Sequence, residues 1–200
     1  MQLEVAAWDV TTLAASWREA TPFAHVVIDG MVNAMRLAVL RDAFPREPLT
    51  FERSEIVDCL ASAPELVEPN LRAFGAAMAA PETLAAVRAI TGKDVRSVEV
   101  RSYCYLPGGY LLPHTDSRLE LGRQVAFAAY LSEDGQCEGG ELELFRCEVD
   151  GAGEIVATAP AARIAHRGNR LVLFDVSATS LHQIREVTAG ARVSLTGWFR

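Results

Sequence analysis

The sequence predicts one domain of the mainly β class, an all-β barrel or sandwich against which N-terminal helices pack. Residues 1–93 carry helical patterns around one early strand, whereas residues 94–200 carry a series of short strand-like segments separated by turn residues. The chain has 200 residues, of which 50% are hydrophobic, and it contains neither an internal repeat nor a long linker. A chain of this length and composition can bury one substantial core, so we expect residues 1–200 to fold as a single domain.

Local signals place the elements of the N-terminal part. Asp9 is a suitable N-cap for a helix over TTLAASWREA, and the apolar segment FAHVVIDG predicts the early strand. A second helix is predicted over MVNAMRLAVLRDAFP, where Pro45 ends it. Two further helices are predicted over NLRAFGAAMAA and PETLAAVRAITG, the latter with Pro81 at its start and Gly92 just past its end.

Alternation of side chains predicts the strands that follow. In VRSVEVRSYCY, it places Arg101, Tyr103 and Tyr105 on one face and small or apolar residues on the other. In QVAFAAYL, Tyr130 shares a face with two alanines, and Phe127 lies on the opposite face. The segments GGELELF, NRLVLFDV, LHQIREV and ARVSLTGWF complete the series of predicted strands.

Composition and charge exclude several classes of protein. A net charge of −7 argues against a nucleic-acid-binding surface. No apolar run approaches the roughly 18 residues of a membrane span, and the acidic N-terminus predicts no signal peptide. The four cysteines are scattered without a C-x-x-C pair, which predicts reduced thiols and a cytoplasmic location. The sequence carries no signal for a particular oligomeric state.

The segment LLPHTDSRLE indicates a metal site. In a strand, residues i and i+2 point to the same side, so His114 and Asp116 would present an imidazole and a carboxylate together. The alternative is a turn after Pro113 with a solvated aspartate. His182 lies in another strand-like segment and could supply a third ligand. Two histidines and one carboxylate on one face of the metal are typical of non-haem Fe(II) oxygenases, whose open positions take a chelating cosubstrate and O2.

The last predicted strand indicates the cosubstrate. Alternation places Arg192, Ser194 and Trp198 on one face of ARVSLTGWF. A guanidinium fork suits the distal carboxylate of a dicarboxylate such as 2-oxoglutarate, and the phenol of Tyr130 could donate to the same group. A surface salt bridge is the alternative for Arg192 taken alone. Because Arg192 occurs together with three candidate metal ligands, a role in binding the cosubstrate is favoured over a surface salt bridge.

Several segments resemble one family. NRLVLFDVSATSLHQIREVTAGARVSLTGWF, GRQVAFAAYL and GGELELF resemble the Fe(II)/2-oxoglutarate-dependent prolyl hydroxylases, and among these the eukaryotic ribosomal prolyl 3-hydroxylase group. YLPGGYLLPHTD resembles the more general prolyl 4-hydroxylase pattern. The likeness spans roughly residues 20–199 and is strongest from Tyr105 onward. The likeness to the ribosomal enzymes concerns only their catalytic domain, because their second, similar domain has no counterpart in residues 1–200.

The resemblance implies a fold and a set of cofactors. The fold would be a double-stranded β-helix, a cupin-like jelly roll whose core is residues 94–200. The resemblance implies that His114, Asp116 and His182 bind Fe(II), and that 2-oxoglutarate and O2 are cosubstrates, with ascorbate as an optional reductant. The residues expected to bind 2-oxoglutarate are Arg192, Tyr130, Tyr105 and Ser194.

The implied activity is hydroxylation of a C–H bond, in a prolyl residue of a protein or peptide. A second interpretation is a hydroxylase of a free amino acid or other small metabolite, with Arg123 or Arg101 holding the carboxylate. A third is a non-oxidative metal-binding protein of the cupin type, or a 2-oxoglutarate sensor.

Four residues are predicted to contact the substrate at the mouth of the pocket, namely Arg123, Arg101, Tyr103 and Trp198. Structural roles are the alternatives: a strand-edge salt bridge for Arg123, an ion pair with Glu99 for Arg101, and core packing for Trp198. Three segments are predicted as loops at the pocket rim, namely 117–124, 132–138 and 148–165.

Overall fold

The computed structural model describes residues 2–200, apart from the side chain of Leu119, and over this range the chain forms four α-helices and thirteen strands. The helices are α1 (Val10–Glu19), α2 (Ala34–Ala43), α3 (Pro69–Met78) and α4 (Pro81–Thr91). The strands are β1 (His25–Asp29), β2 (Leu49–Arg53), β3 (Val57–Ser62), β4 (Val98–Tyr105), β5 (Tyr110–His114), β6 (Val125–Tyr130), β7 (Cys137–Gly139), β8 (Leu142–Val149), β9 (Ile155–Ile164), β10 (Arg170–Asp175), β11 (His182–Ile184), β12 (Val187–Gly190) and β13 (Arg192–Phe199).

The helices form where the sequence predicts them. Asp9 caps α1 by accepting a hydrogen bond from the backbone N–H of Thr12 at 3.1 Å. Gly92 ends α4 in the left-handed conformation, with a φ angle of 71°. Within residues 2–200, no helix has both the length and the apolar character needed to cross a membrane.

The N-terminal part contains more strand than the sequence predicts. Besides β1, the strands β2 and β3 form a hairpin, and β3 joins the central sheet by pairing with β4 and β5. The prediction of one early strand in residues 1–93 was therefore wrong. The alternation of apolar and polar residues in β2 is weak, because polar residues flank Phe51 and the Phe51 side chain itself is 66% exposed. Backbone pairing with β3 holds this strand in place, and Leu49 is its residue that packs against the core.

Two predictions in the C-terminal part were also wrong. The predicted loop 148–165 contains β9, a strand of 10 residues that pairs with β8 at the edge of the sheet. Most of β9 is exposed, so it lacks an apolar stripe, and Pro160 is tolerated at this edge position. The single strand predicted over LHQIREV divides into β11 and β12, because β11 pairs with β5 and β8 whereas β12 pairs with β7.

The main sheet is antiparallel and curled. Its strand order is β1-β10-β6-β13-β4-β3-β5-β11-β8-β9, with β2 paired outside β3. Neighbouring strands are mostly not consecutive in the chain, so side chains from distant segments meet on the concave interior. The prediction of a mainly β fold with N-terminal helices packed against it is confirmed.

The two faces of the sheet bury different clusters. On one face, Phe127 and Leu195 pack with helix residues such as Phe74. On the other face, Ala128 and Tyr130 belong to an interior cluster that lacks helix residues among its buried members. The alternation predicted for β6 is thus confirmed, and every residue of this strand is buried. Since the interior face of β6 carries small alanines, it leaves space for a cavity.

Candidate active site

Three side chains predicted as metal ligands meet inside the curled sheet. His114 ends β5 and His182 begins β11, and the antiparallel pairing of these strands places the two residues opposite each other. The ring centroids are 4.3 Å apart. Asp116 Oδ1 lies 3.7 Å from His114 Nε2, and Asp116 Oδ2 lies 3.6 Å from His182 Nε2. One ligand atom from each residue falls within 4.8 Å of the others, which suits coordination of a single ion.

The strand geometry invoked for Asp116 differs from the structure. The strand β5 ends at His114, and the next residues have no regular structure. From this irregular segment Asp116 still lies on the same side as His114, with Oδ1 3.7 Å from His114 Nε2, as the i and i+2 spacing predicts.

Backbone carbonyls orient both imidazole rings. His114 Nδ1 lies 2.9 Å from the Leu112 carbonyl oxygen, and His182 Nδ1 lies 3.0 Å from that of Ser180. A carbonyl only accepts hydrogen bonds, so each Nδ1–H donates to it and each Nε2 faces the shared centre. Burial, and then the neighbouring His114, lowers the pKa of His182 to about 4. His182 is therefore a neutral imidazole near pH 7, the form that binds a metal.

The carboxylate of Asp116 also fits a cation. The residue is 8% exposed, and its nearest positively charged partner in the described part of the chain is Arg123, with Nη1 4.0 Å away. A buried carboxylate with so distant a counter-ion is costly unless another positive charge lies beside it. A divalent metal between Asp116 and the two Nε2 atoms would supply that charge.

Arg192 is a buried cation without an acidic partner among the described residues. Its exposure is 2%, and its Nε has no hydrogen-bond partner. The contacts of the guanidinium are weak, at 3.3 Å from Nη1 to Ser194 Oγ and 3.5 Å from Nη2 to the Tyr130 hydroxyl. It lies between two aromatic rings, 5.1 Å from the centroid of Tyr105 and 5.0 Å from that of Tyr130. Such a site is suited to a carboxylate ligand, which would pair with the fork bidentately.

One cavity of about 290 Å³ joins Arg192 to the His–Asp–His cluster. Much of its lining is apolar, and these residues are Val57, Leu111, Ala128, Leu142, Phe174 and Ile184. Tyr105 also lines it, and burial raises the pKa of Tyr105 well above its usual value, so it remains a neutral phenol. The cavity thus presents a fixed cation and a set of metal ligands to one bound molecule.

Arginines and aromatic rings surround the mouth of the cavity, which we define by the partly or fully exposed lining residues Glu52, Tyr103, Arg118, Arg123 and Trp198. The Arg123 guanidinium stacks 3.4 Å from the centroid of the Trp198 ring. Its Nη2 lies 2.8 Å from Glu99 Oε1. The salt bridge considered as the alternative for Arg123 is therefore present, and both Arg123 and Trp198 line the cavity.

The alternative considered for Arg101, an ion pair with Glu99, does not form. Arg101 turns towards the β2–β3 hairpin, where its Nη2 lies 2.6 Å from Glu52 Oε1 and its Nε donates to the Ser62 carbonyl at 2.9 Å. Glu99 is left to pair with Arg123. Because β2 was not predicted, Glu52 was not expected at the cavity, although it is one of the lining residues.

The predicted rim loops contribute unequally. Segment 117–124 supplies Arg118 and Arg123 to the lining, whereas the described residues of 132–138 and 148–165 supply none. The two remaining histidines lie outside the cluster. His25 Nδ1 bonds to the Phe23 carbonyl at 2.9 Å and His166 Nε2 to that of Gly139 at 2.7 Å.

A protein-family model matches the part of the chain that carries this site. The model described as the 2OG-Fe(II) oxygenase superfamily matches residues 100–200, which include the His–Asp–His cluster and Arg192. The chain belongs to the 2OG-Fe(II) oxygenase superfamily. This superfamily uses Fe(II), 2-oxoglutarate and O2, in agreement with the donor set and the buried cation described above.

Similar proteins include prolyl hydroxylases. Prolyl 3-hydroxylase OGFOD1 of Xenopus laevis is 41% identical over 93 residues, which are 44% of this chain and 17% of that protein. The chain therefore matches a minor part of the length of this relative. A prolyl-4-hydroxylase from Pseudomonas putida has a TM-score of 0.72 at 23% identity, covering 94% of this chain and 98% of that one.

A second solved structure is a prolyl hydroxylase from Trichoplax adhaerens in complex with a hypoxia inducible factor peptide fragment. It has a TM-score of 0.68 at 14% identity, covering 96% of this chain and 92% of that one. At these identities the likeness concerns the fold. The predicted double-stranded β-helix is confirmed.

Proposed function

We propose that this oxygenase hydroxylates a C–H bond of a prolyl residue in a protein or peptide. In the overall reaction, the substrate C–H, 2-oxoglutarate and O2 give the hydroxylated substrate, succinate and CO2. One observation supports the reaction class most directly: a buried arginine, which has no acidic partner among the described residues, and a His–Asp–His cluster face the same cavity. The prolyl substrate is supported by the 41% identity to a prolyl 3-hydroxylase.

His114, Asp116 and His182 are the proposed Fe(II) ligands, through two Nε2 atoms and a carboxylate oxygen. Their Nδ1–H bonds to backbone carbonyls hold the rings in the required tautomer and orientation. Fe(II) with 2-oxoglutarate and O2 supplies the oxidation, while the protein positions the target C–H bond and excludes water.

Arg192 is the proposed partner of the distal carboxylate of 2-oxoglutarate. The Tyr130 hydroxyl, 3.5 Å from Arg192 Nη2, would donate to the same carboxylate. Ser194 Oγ, 3.3 Å from Nη1, holds the guanidinium in orientation. Tyr105 covers one side of the guanidinium and remains protonated. Together these four residues would orient the cosubstrate along the cavity towards the metal.

The position of Arg192 depends on Gly140. Gly139 and Gly140 are both left-handed, with φ angles of 74° and 71°. A Cβ on Gly140 would lie 3.1 Å from Arg192 Cδ and 2.9 Å from Val187 Cγ2. The Val187 side chain would have to shift and Arg192 would have to give by a few tenths of an ångström, so a side chain at residue 140 would press on the arginine.

We therefore expect Gly140→Ala to weaken 2-oxoglutarate binding by about tenfold, since part of a charge-assisted interaction worth about 1.5–3 kcal/mol would be lost. Anaerobic calorimetry with the Fe(II)-loaded protein measures this affinity. Gly153→Ala is the matched control, because Gly153 is also left-handed, with a φ angle of 86°, and a Cβ there has no atom within 4 Å. A folded Gly140→Ala protein with unchanged affinity would contradict the proposed packing.

The substrate is proposed to enter past Tyr103 and Trp198. Arg123 holds the Trp198 ring by stacking, and Arg101 lies 5.3 Å from the centroid of the Tyr103 ring. Arg101 and Arg123 are each paired with a glutamate, so neither presents a free guanidinium to the carboxylate of a free amino acid. This pairing favours a prolyl residue within a peptide over the small-metabolite alternative.

Mass spectrometry separates these substrates. The Fe(II)-loaded protein is incubated with 2-oxoglutarate, O2 and proline-containing peptides, and in parallel with free amino acids. We expect the gain of one oxygen atom on a peptide proline. Oxygen gained only by a free amino acid would reject the prolyl proposal and leave the oxygenase assignment in place.

Two further proposals concern the whole chain. Residues 1–200 are proposed to form one domain, because the helices and the strands share the hydrophobic cluster on one face of the main sheet.

A cytoplasmic location is proposed because the cysteines are free thiols, namely Cys59, Cys104, Cys137 and Cys147.

A further inference from the structure

The mouth of the cavity carries an excess of positive charge on a protein whose net charge is −7. Outside the metal cluster and Arg192, the charged lining residues are Glu52, Arg118 and Arg123. Ion pairs extend this set to Arg101, which pairs with Glu52, and to Glu99 and Arg200, which pair with each other beside Arg123. The set thus contains four arginines and two glutamates. Clustered charge of one sign at an opening attracts ligands of the opposite sign.

Arg118 is the arginine of this set that is free to pair with a ligand. Its side chain is exposed and makes no hydrogen bond or ion pair with the described residues. Arg101 and Arg123, by contrast, are only 23% and 17% exposed, and each is paired with a glutamate. Apart from the buried Arg192, the unpaired positive charge among the described lining residues therefore lies on the outer rim, at Arg118.

The position of Arg118 indicates where a ligand carboxylate would lie. Arg118 is two residues from Asp116 in the chain, so their Cα atoms are at most about 7 Å apart. An extended peptide advances about 3.3 Å per residue. A carboxylate at the rim would therefore belong to a residue roughly two or three positions from the one that enters the cavity. The carboxylate of a free amino acid is attached to the target residue itself and would lie deeper.

Building on the proposed function, we propose that Arg118 selects peptides with an aspartate or glutamate within three residues of the hydroxylated proline. The guanidinium pairs with this carboxylate at the rim while the proline occupies the cavity. The surplus positive charge around the mouth adds attraction for acidic segments and repels basic ones.

Peptides of matched sequence test the inference. Each has one central proline and carries glutamate, glutamine or lysine at one of the three positions on either side, and initial rates are measured by mass spectrometry. We expect the best glutamate peptide to react about five- to tenfold faster than its lysine counterpart at low salt. The preference should shrink as ionic strength rises.

Variants assign the preference to one side chain. Arg118→Gln should remove most of the preference, and Arg118→Glu should reverse it. Arg18→Glu is the matched control, since Arg18 is also exposed and lies in α1, away from the cavity lining. This control should keep the wild-type preference.

The outcomes separate the inference from the proposed function. Peptide hydroxylation with no charge preference, or with a preference unchanged in Arg118→Glu, overturns the role of Arg118 and leaves prolyl hydroxylation standing. Hydroxylation of free amino acids alone, or of no substrate, overturns the proposed prolyl function and the inference that rests on it.

Discussion

Replacing Asp116 with alanine is expected to abolish tight Fe(II) binding and turnover while leaving the fold intact. The carboxylate is the single anionic group of the three proposed ligands, and no hydrophobic core depends on it. Its removal should weaken Fe(II) binding by more than about 100-fold, which exceeds the loss seen when groups that merely support ligands are removed. His114→Ala should have a similar effect, because it removes one of two imidazoles.

Anaerobic calorimetry with Fe(II) measures this effect, and circular dichroism checks the fold. His25→Ala is the matched control, since His25 bonds to a carbonyl two residues earlier, as His114 does, yet lies outside the cluster. Unchanged Fe(II) affinity in both Asp116→Ala and His114→Ala would show that the ion binds elsewhere.

Replacing Arg192 with alanine is expected to raise the KM for 2-oxoglutarate by at least about tenfold, because a charge-assisted fork contributes about 1.5–3 kcal/mol. Tyr130→Phe should change KM in the same direction by less, since it removes one neutral donor. Arg192→Lys should not restore the wild-type value, because an ammonium lacks the planar fork. Without metal and cosubstrate, Arg192→Ala should not lose stability through a broken ion pair, because Arg192 has no acidic partner among the described residues.

Steady-state kinetics and direct binding of 2-oxoglutarate test this prediction. Arg163→Ala serves as a control, since Arg163 pairs with Glu143 and does not line the cavity. Wild-type dependence on 2-oxoglutarate in Arg192→Ala would mean that the buried guanidinium holds another anion.

Regular patterns made the interior strands predictable from the sequence. In β6, Phe127 faces the helices and Tyr130 the cavity, as alternation requires. In β13, the same rule aligns Arg192 with Trp198 along the cavity. The two faces of these strands meet different surroundings, the helices on one side and the cavity on the other, so alternate positions carry different kinds of side chain.

Elements that depend on backbone pairing were not predictable in this way. β2 and β9 are exposed and carry no apolar stripe, so their identity as strands comes from their partners. The role of Glu52 depended on β2 and was missed with it. The same is true of the Gly140 contact with Arg192, because a glycine pair predicts a turn but not the side chain that packs against it.

Succinate formation tests the central claim most directly. The wild-type protein is supplied with Fe(II), 2-oxoglutarate, O2 and the pool of proline peptides, and succinate and oxidised peptide are measured together. We predict that both products appear in about equal amounts and that both require Fe(II) and O2. Tight binding of 2-oxoglutarate by the Fe(II)-loaded protein, with no succinate formed from any peptide or amino acid, would contradict the account and favour a 2-oxoglutarate sensor.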